Sequence, residues 1–241
     1  MKKLMYAVST ALILSSSAFA QESSLSPEEH WITPLEIGIA SPIQFPSPAW
    51  IVDGIRFDLF YGDSYEVNGL DLGLVGRTRK DFRGIALNAF NWYDGPSWGV
   101  QLGALANVSL NNVYSLQFAG IANYVYNEMR GVQLALVNQN GPFYGVQLGA
   151  VNWNRGVSYG VQIGVANANV NEFNGASIGV VNWADRSSGA SIGVVNVAKT
   201  GNGLQLGVFN SAETFEGLQI GVLNINQNGA LPIMCIVNAN F

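Results

Sequence analysis

From Pro34 to the C-terminus, apolar and polar positions alternate in short bursts that recur along the whole chain. The clearest unit reads G-[VL]-Q-[IL]-G-[VA]-[VL]-N and stands at Gly145, Gly160, Gly175, Gly189, Gly203 and Gly217. Weaker copies start at Gly54, Gly69, Gly84, Gly99, Ser115 and Gly131. The first copy starts at Pro34 (PLEIGIAS) and the last at Ala230 (ALPIMCIVNANF), which makes fourteen units. Counting from the leading residue, position 2 is apolar (Leu35, Ile55, Leu70, Val100, Val146, Leu218), and so is position 4 (Ile37, Phe57, Leu72, Leu102, Ile163, Ile220). Position 6 is mostly Val, Ala or Leu. Position 3 is polar (Glu36, Arg56, Asp71, Gln101, Gln133, Gln162, Ser177, Gln219), and position 5 is usually Gly. Alternation with a period of two marks a strand with one apolar and one polar face. Breakers such as Asp94-Gly95-Pro96, Asn140-Gly141-Pro142 and Asn154-Arg155-Gly156 separate the units. Helix caps and a 3.6-residue period are missing, so the pattern predicts an all-β fold.

Two architectures accept such strands. The main expectation is a single antiparallel up-and-down transmembrane β-barrel of about fourteen strands. The strand number is even, and a strand of about nine residues tilted by roughly 40° covers about 23 Å, close to the apolar band of an outer-membrane barrel. Trp92, Trp98, Tyr114, Tyr124, Tyr144, Trp153, Tyr159 and Trp183 fall at strand ends, as two interfacial girdles would. The terminal Phe241 stands where an assembly signal for outer-membrane barrels would stand. The alternative is a parallel β-solenoid with one 14–15-residue repeat per coil. Position 8 is Asn in most units (Asn91, Asn138, Asn152, Asn167, Asn182, Asn196, Asn210, Asn224), and stacked Asn side chains form hydrogen-bonded ladders in parallel coils. Asn also suits a strand entering a turn. The connections do not alternate between short and long, as those of a barrel do. Against the solenoid, the last unit offers no polar cap.

These G-[VL]-Q-[IL]-G-x-x-N units resemble a family of uncharacterised bacterial surface-repeat proteins of the outer membrane. The resemblance covers Pro34 to Phe241, with departures in early units such as GIRFDLFY at Gly54 and GIALNAFN at Gly84. It implies a bacterial outer-membrane location. It brings no catalytic or ligand residue.

The N-terminus agrees with export. Lys2 and Lys3, an apolar run from Leu4 to Leu14 and the sequence Ala18-Phe19-Ala20 read as a cleavable signal peptide. The expected organisation is therefore a signal peptide at 1–20, a polar lead-in at 21–33 and one repeat-built domain at 34–241. Charged residues make up only 11% against 49% hydrophobic, about half the usual charge density. With 11 basic against 16 acidic residues and no basic stripe, nucleic acid is not an expected partner. Membrane lipid and the outer-membrane assembly machinery are. No window after residue 20 is apolar for long enough to cross a bilayer as a helix.

No catalytic, cofactor or metal site emerges, so enzymatic activity is not expected. The one histidine, His30, and the one cysteine, Cys235, lie at opposite ends of the chain, too few for a zinc site or a nucleophile–base pair. The recurrent glycines lack the lysine and the strand-to-helix setting of a phosphate loop. One charge cluster stands out: Glu36, Arg56, Asp58 and Asp71 occupy odd positions of the first three units. In a barrel they would line the lumen, as a self-satisfied ion-pair patch or as a constriction that biases ion passage. The apolar residues at position 7 (Val75, Val137, Val151, Val181, Leu223) would share that face and narrow the lumen. Ser41 to Ala49, with three prolines, is the longest connection and a candidate binding loop. The functional expectation is a passive pore of low conductance or a structural surface component. The alternative is an extracytoplasmic solenoid that binds a protein or a glycan.

Overall fold

The computed structural model describes residues 30–241. The expected signal peptide and residues 21–29 of the lead-in lie outside the described residues. The first strand, Ile32–Ala40, begins inside the segment expected as lead-in.

The chain is a parallel β-solenoid of about thirteen turns, and the barrel expectation is overturned. Each repeat lies directly on the one before it, in parallel and in the same register. Phe143–Asn154 pairs with the following coil as Gly145 to Gly160, Gln147 to Gln162, Leu148 to Ile163 and Asn152 to Asn167. The same parallel register links 51–64 to 66–78, 66–78 to 82–93, and 82–93 to 97–109. From Ser158 to Leu206 the extended backbone runs unbroken through several coils. The sheet never closes. Its order runs from Ile233–Asn240 at one end to Ile43–Phe45 at the other, so first and last strands are far apart. No pore is enclosed, and the expected lumen, conductance and ion selectivity fall with the barrel.

The corner of each coil explains why the alternation misled. Positions −1 and 3 point inward, and position 5 is the turn. The inward parity then switches, so that positions 8 and 10 face the interior. In one coil Gln162, Asn167 and Asn169 are buried while Ile163 and Val165 are exposed. Position 6 drops out of the pairing there: Gly149 meets Gly164 and Val151 meets Ala166, with Ala150 and Val165 skipped. Position 7 therefore does not share a face with position 3, and it narrows nothing. Strict backbone stacking also dictates the leading glycine. Gly160 has φ of +135°, and a Cβ there would come within 1.9 Å of the Gly145 carbonyl oxygen.

Both ends are capped by reversed strands. Ile43–Phe45, inside the proline-rich connection, runs antiparallel to Ile32–Ala40. Ile233–Asn240 turns back antiparallel on Phe209–Asn226. Such caps interrupt the parallel template that a free edge would offer. Phe241 projects from the last one, 99% exposed.

Candidate functional site

The interior is unusual in being mostly polar. Among the described residues, 40 polar or charged side chains are buried against 20 apolar ones. Small apolar clusters remain, such as Val52, Val67, Phe82, Ala86 and Tyr93, and Val113, Val125, Met129 and Phe143. Between them ten asparagines, at position 8 of their units except for Asn107 and Asn123 at position 9, form one continuous ladder. Asn91 donates to Asn107 at 2.7 Å, Asn152 to Asn167 at 2.8 Å, Asn167 to Asn182 at 2.8 Å and Asn210 to Asn224 at 2.7 Å, with every intermediate step made. Most of these amides also donate to a backbone carbonyl of the next coil, as Asn167 does to Ile178 at 3.0 Å. The position-3 glutamines form a second ladder of opposite sense: Gln162 donates back to Gln147 at 2.7 Å, and Gln133 back to Gln117 at 2.7 Å. Cross-links such as Asn154 to Gln147 (2.9 Å) tie the opposed walls together. An amide carries both a donor and an acceptor, so a copy stacked on itself satisfies both.

The four charged residues expected to face a lumen are brought together in this interior, all at 1% exposure or less. Arg56 holds Asp71 bidentately, Nε to Oδ1 at 2.8 Å and Nη2 to Oδ2 at 2.6 Å. It also donates to Ser64 Oγ at 3.1 Å and to the Arg77 carbonyl at 2.6 Å. Ser64 in turn donates to Glu36 at 2.8 Å, as does Gln44 at 3.0 Å. Burial pulls the Arg56 guanidinium down, but Asp71, Glu36 and Asp58 outweigh it and hold the group charged. Burial pushes the Glu36 carboxyl up to about 8, against the pull of Arg56 and Ser64, and Asp58 adds to the rise. Burial also raises Asp58, with Arg56 opposing. Neither Asp58 oxygen receives a bond from a permanent donor. Arg56 Nε lies 4.0 Å from Asp58 Oδ2. Asn88 joins the cluster to the ladder, donating to Asp71 at 2.9 Å and to Asn91 at 2.7 Å. The cluster is sealed from solvent and offers no access for a substrate. Among the described residues no group of three or more His, Cys, Asp or Glu is placed to hold a metal.

The surface that does reach solvent is the apolar one. Across the coils led by Pro34 to Gly217, every residue at positions 2, 4 and 6 is apolar, Gly120 alone having no side chain. Their registers make unbroken rows: Ile37, Phe57, Leu72, Leu87, Leu102, Phe118, Leu134, Leu148 and Ile163 pair in succession. Leu136 and Val165 are each 58% exposed and Val222 68%. Between rows 4 and 6 runs an apolar groove floored by Gly164, Gly179, Gly193 and Gly207. In this stretch the floor is tight, since a Cβ on Gly164 would lie 2.4 Å from the Gly149 carbonyl oxygen; other coils carry Asp58, Asn88, Ala119 and Ala135 at the same position.

The aromatics expected as two girdles form two rows along the solenoid instead. Trp98 stacks on Tyr114 (5.8 Å) and Tyr144 on Tyr159 (5.3 Å), with the Arg130 guanidinium between Tyr114 and Tyr144. The other row follows the asparagine ladder and holds Trp92, Tyr124, Trp153 and Trp183. Charges sit in the connecting segments, as in Arg77–Asp94 (2.7 Å), Arg83–Asp81 (2.6 Å) and Arg186–Glu172 (3.3 Å). The apolar face was legible in the sequence. The interior role of position 8 was signalled too, because Asn is even-numbered and would have fallen on the lipid side of a barrel.

No family model matches the chain, and neither a curated protein nor a solved structure matches it.

Proposed function

We propose that this chain is an exported, non-catalytic β-solenoid binding module that engages a partner along its regular outer face. The observation that carries the reading is the inversion of the usual distribution, with amides inside and three apolar rows, broken only at Gly120, outside. A contiguous exposed apolar surface of this extent marks an interaction site. The polar interior, sealed from solvent and threaded by amide ladders, supplies rigidity rather than chemistry. Co-sedimentation of purified protein with envelope material from the producing cells tests the reading. Wild type should pellet, and Ile178→Asp with Val180→Asp should reduce pelleting at least tenfold, while Lys199→Ala in a connecting segment should not. Equal pelleting of all three would refute it, as would a wild type that neither pellets nor self-associates.

A further inference from the structure

We infer that the partner on the apolar face is a second copy of this chain, packed face to face. The inference rests on the binding-module reading and assigns its partner. Three features of the face select this occupant. The first is its area. Twelve intervals of about 4.8 Å separate Ile37 from Ile220, which gives a length of roughly 58 Å. The span from position 2 to position 6 adds a width of roughly 13 Å, so the face covers about 750 Å², close to the share of one partner in a standard interface of about 800 Å² per side. The face is therefore neither too small for a stable dimer nor large enough to need several partners.

The second feature is shape and period. Rows 4 and 6 are ridges, and between them a glycine-floored groove runs through the four coils of Gly164, Gly179, Gly193 and Gly207. The ridge knobs recur once per coil along the whole length. A partner that fills this groove throughout must carry apolar knobs at the same strand spacing. A parallel solenoid does so by construction, and a second copy of this one offers a ridge for each groove. An extended peptide lying along the groove would be less well held, because the backbone donors and acceptors of the coils are already spent on their neighbours.

The third feature is charge. The chain carries 11 basic and 16 acidic residues, a net charge that would oppose self-association if it were spread evenly. It is not spread evenly. Positions 2, 4 and 6 hold no charge, and the ion pairs lie in the connecting segments. The face can therefore close on itself without bringing like charges together or burying a polar side chain unpaired. A two-fold arrangement with full overlap places the middle coil, which carries Leu134 and Leu136, opposite itself.

Sedimentation equilibrium over a hundredfold range of concentration tests the inference. Wild type should show twice the chain mass, dissociating on dilution. Leu136→Asp with Val165→Asp should be monomeric throughout, with the far-ultraviolet circular dichroism of wild type. Should those aspartates impair folding, a second reading is independent of them: in a Cys235→Ser background, Leu136→Cys should give a dimer with a short bismaleimide, and Lys199→Cys should not. Wild type that stays monomeric, or equal cross-linking at both positions, would overturn the inference. A monomer that floats with phosphatidylcholine vesicles would overturn it in favour of a lipid surface. A monomer that still pellets with envelope material through Ile178 would overturn it while leaving the binding-module reading standing.

Discussion

From Asn91 to Asn224 the interior is held by neutral amides stacked on their own copies, whereas the coils of Glu36, Arg56 and Asp71 use charges of alternating sign at the same inward positions. The difference follows from translation. In a parallel solenoid each side chain meets its counterpart one strand spacing away, about 4.8 Å. An amide can donate to one copy and accept from the other without limit. A carboxylate stacked on a carboxylate cannot, because buried like charges at that distance repel. Charged coils must therefore differ from one another, and the end of the solenoid is where the repeat can afford to drift. The departures from consensus in the early units are the consequence. Arg56 answers Asp71 and Glu36, and Asp58 fits only because Gly38 and Gly62 leave it room; a Cβ at either would lie about 2 Å from its oxygens.

The comparison can be broken most severely at Arg56. Arg56→Met leaves Asp71 and Glu36 buried without their cation and should cost about 3–5 kcal/mol. Urea unfolding followed by circular dichroism measures it, and a loss below 1 kcal/mol would mean that the cluster is hydrated rather than sealed. The complementary change replaces the cluster with the consensus: Glu36→Gln, Arg56→Gln, Asp58→Gly and Asp71→Gln together. If stacked amides are the better solution, this variant should be as stable as wild type or more stable by about 1–4 kcal/mol. Marked destabilisation would show that the N-terminal coils need their charges for packing. In the amide region, Asn167→Ala removes two ladder bonds and the bond to the Ile178 carbonyl, leaving Asn152 Nδ2 with only the Ile163 carbonyl and Asn182 Oδ1 with only the Ser177 hydroxyl, at about 1–3 kcal/mol.

The effect most specific to the charged end is on pH. Below pH 4.5, the ordinary value for Glu36, both folded and unfolded chains hold its proton. Between 4.5 and about 8 only the folded chain does, so the folded state binds more protons and stability falls as pH rises. Above about 8 both states have lost the proton and the dependence levels off. The raised Asp58 acts in the same direction. Glu36→Gln should flatten the decline of the urea midpoint across this window without changing the midpoint at low pH. An unchanged slope would remove Glu36 as its source.

Much of this architecture is readable along the chain, and the part that is not has a definable cause. The repeat, the single strand per unit and the apolar rows at positions 2 and 4 follow from period two. The direction of pairing does not, because alternation looks the same in a parallel and an antiparallel sheet. The deciding residue is Asn at position 8. On a strict alternation it shares the face of Ile163 and Leu148, an unreasonable place for eight amides in lipid, and only a parity switch after Gly at position 5 moves it inside. The connections, which do not alternate in length, pointed the same way. The aromatic residues were found by sequence but misplaced, since strand ends in a barrel and corners in a solenoid carry the same spacing. The four charged residues stood out at odd positions of the first three units, with a lumen as their expected setting; the structure gathers them in the closed interior instead. Their burial depends on how tightly Gly38 and Gly62 close around Asp58, which no spacing reveals.

The central claim is that the coils advance along an axis and never return. Pulsed electron paramagnetic resonance on nitroxide pairs, diluted into a large excess of unlabelled chain so that only pairs within one chain are read, measures this directly in a Cys235→Ser background, with Ile37→Cys paired first with Ile163→Cys and then with Ile220→Cys. Eight and twelve strand intervals of about 4.8 Å predict separations of roughly 38 and 58 Å, growing with each coil. A pair at Ile37 and Ile220 closer together than the pair at Ile37 and Ile163 would mean that the sheet closes on itself, and would contradict the account.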